Sequence, residues 1–116
     1  MKPDPTSPTG FRLSATDVGN HLACPHLTQL DRRAALGELT KPYWDDPRLE
    51  ILRKRGDEHE ARYLEHLRAV GRVVVDTGHS IEATREAILD GADVVFQAKL
   101  RHGHRGGYAD FLERVE

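Results

Sequence analysis

The sequence predicts an α+β chain, and three features of its pattern predict it. Helical apolar spacing dominates residues 14–70, a further helical segment at 80–91 lies between two β-branched runs, and a closing stretch, GGYADFLERVE, alternates as a strand does. Helices come first, then strand, helix and hairpin, with no internal repeat. At 116 residues the chain is one domain at most by length, able to bury a modest core.

Taken in order, residues 1–12 hold Pro3, Pro5 and Pro8 without an apolar period and are expected to form a mobile extended tail, with one domain from residue 13 to 116. Ser14 followed by Asp17 resembles a capping box. Val18, Leu22, Leu27 and Leu30 then supply apolar positions for two short helices that break at Cys24-Pro25, with Pro25 opening the second and Gly37 near its end. KPYWDDP, residues 41–47, is a turn-rich connector, and Pro47 can start the next helix. That helix is predicted over Pro47–Val70, ending at Gly71, with Leu49, Leu52, Gly56, Tyr63 and Leu67 along one stripe. RVVVDTG reads as a short buried strand and SIEATREAILDG as a helix capped by Ser80 and closed by Gly91. DVVFQAKLR is a strand, HGHRGG a hairpin connection, and GYADFLERVE its partner.

Composition constrains function loosely. Hydrophobic residues make up 38% and charged residues 31%, with a formal net charge of -2, so a globally basic nucleic-acid binder is excluded while a local basic patch is not. A single cysteine, Cys24, closes neither an internal disulfide nor an all-cysteine metal site. The opening MKPDPTSPTGF has no apolar leader core, and no run approaches the roughly 20 apolar residues of a membrane span, so the expectation is a cytoplasmic protein without membrane association.

Two carboxylates carry the chemical interest. Glu60 follows Gly56 by one helical turn and so shares the stripe of Leu52, Tyr63 and Leu67. An ionised carboxylate at the rim of a core costs several kcal/mol unless paired, hydrogen-bonded or metal-bound; the plainer account is that Glu60 snorkels out or pairs with Arg53 or Arg62, and that Gly56 merely permits close packing. Alternation places Tyr108, Asp110, Leu112 and Arg114 on one face and Ala109, Phe111, Glu113 and Val115 on the other. Apolar residues on both faces predict a central strand with Asp110 half-buried; an edge-strand charge is the alternative. Two inward acids from different elements suit Mg²⁺ or Mn²⁺, which take oxygen ligands.

RGDEHEARYL, GADVVFQAKL and GGYADFLERVE, in that order, resemble the opening half of a RecB-like nuclease domain of the PD-(D/E)XK superfamily, of the type fused to a helicase. The likeness runs from Leu13 onward and includes SATDVGNHLACPHLTQLDRRAALGEL. It implies a restriction-endonuclease-like fold with the first strands of a mixed sheet, metal-dependent hydrolysis of DNA in repair or recombination, and a helicase domain or subunit as neighbour. It also implies Glu60 and Asp110 as metal ligands, with His59 as the near alternative to Glu60; Gln97 is a candidate contact to substrate or to a ligand, with a structural hydrogen-bonder in the strand pair as the alternative. Some such nucleases hold an iron–sulfur cluster through one N-terminal Cys and three distant ones, and on that pattern Cys24 is the candidate; a small buried residue at the helix break is the alternative.

The family's next strand carries an acid-x-Lys triplet, whose two residues share a strand face so that the acid binds metal while the Lys orients water. No such triplet occurs in the chain, and Gln97-Ala98-Lys99 precedes Asp110. The expectation is therefore the N-terminal part of a nuclease domain, inactive alone, with a non-catalytic nucleic-acid-binding or protein-interaction remnant as the rival reading. The seven histidines match no zinc spacing, and the runs Arg32-Arg33 and Arg53-Lys54-Arg55 turn by about 100° per residue, so neither makes a single-face stripe.

Overall fold

A computed structural model describes residues 1–115. Its elements are β1 (Lys2–Pro3), β2 (Phe11–Arg12), α1 (Ala15–Ala23), α2 (Pro25–Ala35), α3 (Pro47–Ala69), β3 (Val74–Asp76), α4 (Ile81–Leu89), β4 (Val94–His102) and β5 (Arg105–Glu113). The chain is α+β, as the periodicities predict. It divides into two compact units: residues Met1–Pro42 with Leu100–Gly107 make one, and the segment Tyr43–Lys99 with the strand from Tyr108 makes the other.

In the first unit, the predicted tail is instead paired structure. Lys2–Pro3 runs antiparallel to Phe11–Arg12, and the turn between them is organised by Asp4, which is 5% exposed. Its carboxylate accepts from the Thr6 hydroxyl at 2.6 Å, from Arg12 at 2.9 Å and from Arg101 at 2.8 Å. The prolines do not prevent this, because the side-chain network supplies what a long ladder would otherwise provide. Leu13 bridges to Arg105, and a Cβ on Gly106 would lie 3.0 Å from Arg12 Cδ, a tight contact with the Arg12 side chain that glycine avoids.

The Ser14–Asp17 capping box forms, with Asp17 Oδ2 accepting from Ser14 N at 2.7 Å and Ser14 Oγ accepting from Asp17 N at 3.4 Å. Asp17 also receives the Met1 amine at 2.7 Å. Cys24 separates α1 from α2, Pro25 opens α2, and His21 pairs across the break with Thr28 at 2.8 Å. Neither helix contains a fully buried residue, and Val18 and Leu22 remain exposed.

The Asp4 network is expected to make the first unit acid-sensitive. The Thr6 hydroxyl, then Arg12, with a weaker pull from Arg101, lower the Asp4 pKa from 3.8 to about 2. A carboxyl whose pKa falls on folding stabilises the folded form above its unfolded value and loses that contribution as pH drops through the folded one. Loss of stability is thus expected between about pH 4 and pH 2. Asp4→Asn should flatten this part of the profile while lowering stability at pH 7; acid titration followed by circular dichroism checks both.

The second unit holds the sheet that carries the motif residues. Asp46 caps α3 by accepting from Arg48 N at 3.0 Å, and Pro47 follows at the first helical position. α3 runs to Ala69 and closes through Gly71 at φ +85°. Strand order is β3-β4-β5, with Val74, Val75 and Asp76 parallel to Val94, Val95 and Phe96, and β5 joined to β4 by the Gly103–His104 turn. α4 forms the β3–β4 crossover, capped by Ser80, which accepts from Ala83 N at 3.2 Å. The core lies beneath α4: Ala87, Val95 and Ala98, with Val75, Ala92, Ala109 and Leu112 packed on them.

The predicted stripe on α3 holds over only part of its length. Leu67 is buried and Tyr63 half-buried, but Leu49 and Leu52 are 58% and 63% exposed. β5 is an edge strand, which corrects the expectation of a central one. Simple alternation also fails: Val95 and Ala98, three residues apart, share the α4 core with Ala109 and Leu112, again three apart. Between the first two stands Gln97 with φ +54°, a left-handed residue inside a strand that shifts the phase of the pleat.

Candidate functional site

The second unit brings the two predicted carboxylates to one place. A cleft of about 510 Å³ is lined from α3 by Arg53, Gly56, Asp57, His59, Glu60 and Tyr63, and from β5 by Asp110 and Phe111. Its floor is aromatic. The Tyr63 ring meets Phe111 edge-on at 4.9 Å, and Phe111 lies 5.1 Å from Phe96, so α3 is seated on the strand pair next to Asp110. The Tyr63 hydroxyl donates to Glu113, a contact that raises the phenol pKa above its ordinary value.

Glu60 is half-buried, at the cleft edge, as the helical spacing predicts. It does not take either of its nearby arginines: Arg53 pairs with Glu50 at 2.5 Å, and Arg62 donates to the Glu58 carbonyl at 3.4 Å. Asp110 is exposed rather than half-buried, because β5 lies at the sheet edge. Among the described residues, neither acid has an ion-pair partner. His59 lines the same cleft.

Gly56 has a different role from close packing. A Cβ built there meets nothing within 4 Å, so the glycine borders open space in the cleft, at a helix cost of about 1 kcal/mol relative to alanine. Asp57, one turn before Glu60, is a lining residue that the stripe argument passes over; its spacing of three from Glu60 was the available signal.

Gln97 is not among the cleft-lining residues. Its main-chain carbonyl instead accepts from the Thr77 hydroxyl at 2.9 Å and from His79 N at 2.9 Å, so its evident part is to anchor the loop leaving β3. Cys24 belongs to the first unit and is exposed, which corrects its reading as a small buried residue.

The donor set fits a hard cation only in part. Three carboxylates (Asp57, Glu60 and Asp110) and an imidazole line one cleft, yet among the described residues no group of three or more His, Cys, Asp or Glu side chains is gathered closely enough to enclose a metal ion. Among the same residues, no helix is long and apolar enough to cross a membrane. No protein-family model, curated protein or solved structure matches the chain.

Proposed function

We propose that this chain contributes part of the divalent-metal centre of a DNA phosphodiesterase, in a domain of the restriction-endonuclease-like type. The single observation that carries the reading is the convergence of Glu60 and Asp110 on one cleft from a helix and a strand far apart in sequence. Among the described residues neither carboxylate has an ionic partner, and oxygen ligands are what Mg²⁺ and Mn²⁺ require. The bound ion would supply a polarised phosphate and an activated water. Glu60 and Asp110 would hold it, with His59 as the adjacent donor. An acid-x-Lys triplet is absent from the sequence, so the chain by itself is expected to bind the ion and leave DNA uncut. The biological setting on this reading is repair or recombination, beside a helicase.

Mn²⁺ titration tests the site. With two carboxylates, binding should fall at the weak end of protein cation sites, with a Kd of about 10⁻⁴ to 10⁻³ M. Glu60→Ala and Asp110→Ala should each abolish it, as read by calorimetry or by paramagnetic broadening of resonances from Tyr63 and Phe111. Equal affinity in all three proteins overturns the assignment.

One observation favours the rival reading of a non-catalytic nucleic-acid-binding or protein-interaction module, namely the lack of a three-ligand cluster among the described residues. The same titration separates the two: no Mn²⁺ binding by the wild type, with DNA or protein binding retained, selects the rival.

A further inference from the structure

Beside the cleft, three side chains form a group that the metal reading does not use. Lys99 Nζ stands 5.7 Å from the centroid of the Tyr108 ring, and the His79 ring meets the same tyrosine edge-on at 4.9 Å. Tyr108 is 64% exposed, so this is an accessible arrangement and not a core contact. Among the described residues, Lys99 has no ion-pair partner.

Its position follows from the sheet. Ala98 and Ala109 face the α4 core, so their strand neighbours Lys99, Tyr108 and Asp110 face the other side, where Tyr63 of α3 rests on Phe111. Tyr108 and Asp110, two residues apart on that side, are separated by roughly 7 Å along the strand. The tyrosine group is therefore one short step from the acid assigned to the cation.

The backbone around it is held in a costly state. His79 and Gln97 are the non-glycine residues with positive φ among those described, at +61° and +54°. They are bonded to each other, His79 N donating to the Gln97 carbonyl at 2.9 Å, and the Thr77 hydroxyl donates to that same carbonyl. Lys99 N is fixed in turn by Thr84 Oγ1 at 3.0 Å. Strained conformations that several independent bonds enforce are characteristic of ligand clamps. Here they hold His79 at the side of the strand pair instead of within α4.

From this geometry we propose that Lys99, Tyr108 and His79 form a station for the backbone phosphate of single-stranded DNA, adjacent to the phosphate that the Asp110 cleft would hold. The proposal rests on the nuclease reading for its ligand. The ammonium supplies the charge, the phenol and imidazole supply N–H and O–H donors, and the exposed ring offers a surface to a base. With a single strand, each neutralised phosphate adds about 0.7 to the salt slope of log affinity.

The test is anisotropy of a fluorescein-labelled oligothymidylate in EDTA, from low to moderate salt, so that the cation site takes no part. Lys99→Gln should reduce the magnitude of the salt slope by about 0.7 and weaken binding at low salt. Lys99→Arg should keep the slope, and Arg85→Gln, the same charge change on α4, should leave both quantities at wild-type values. Equal effects of Lys99→Gln and Arg85→Gln, or no binding by the wild type, overturn the proposal. If Lys99→Gln fails to fold, His79→Ala in the exposed loop reads the same station: weakened binding supports it and unchanged binding overturns it. Failure here with intact Glu60- and Asp110-dependent Mn²⁺ binding removes only the phosphate station. A Lys99 effect without such Mn²⁺ binding removes only the metal reading.

Discussion

Phe96→Ala is expected to cost about 3–5 kcal/mol of unfolding free energy. The ring is 7% exposed and lies 5.1 Å from Phe111, which in turn carries Tyr63 of α3. Truncation removes apolar burial and leaves a void between the strand pair and the helix, and neither side can collapse freely because β4 is held between β3 and β5. Whole-domain stabilities are only about 5–15 kcal/mol, so the variant should stand near the unfolding threshold at 37 °C. Urea denaturation followed by far-ultraviolet circular dichroism gives the number. Leu52→Ala is the internal control: this leucine, on α3 itself, is 63% exposed, and its loss should stay within about 0.5 kcal/mol. A Phe96 effect below about 1 kcal/mol would refute the aromatic seating of α3. The cleft should suffer as well, since Phe111 sits beside Asp110 and loses its support.

Thr84→Val should cost about 1–3 kcal/mol despite nearly equal volume. Thr84 is 2% exposed, and its hydroxyl donates to the Ser80 carbonyl at 2.7 Å while accepting from Lys99 N at 3.0 Å. Valine fills the space but leaves the Lys99 amide, a part-buried donor, without its acceptor. Amide hydrogen exchange distinguishes this account from a general packing loss. Protection at Lys99 should fall further than protection at Val94, whose amide donates to the Val73 carbonyl at 3.1 Å and does not involve Thr84. Uniform loss across β4 would mean that Thr84 acts through packing alone.

Much of the local architecture was legible because it depends on neighbours in sequence. The Ser14–Asp17 box, the break at Pro25, the Asp46–Pro47 start of α3 and the Ser80 cap are short-range hydrogen-bonding or steric events. Glu60 could be placed at the rim of a helix face for the same reason. The paired strands at residues 2–3 and 11–12 were not legible, since three prolines argue against them and the stabilising carboxylate of Asp4 draws on Arg101 from a distant strand. Nor was the edge position of β5, because an apolar residue on each face does not reveal whether a further strand lies alongside.

Residue order alone thus determined which segments become helices and strands and where most of them stop, through caps, proline and apolar period. Tertiary structure decided which side chains meet. It set Glu60 and Asp110 on one cleft, placed Asp110 at a sheet edge, and turned Gln97 into a left-handed conformation that rephases the strand. These outcomes depend on β4 pairing with β3 on one side and β5 on the other, and on the seating of α3 over Phe96 and Phe111, long-range contacts whose free energy no local window of sequence contains.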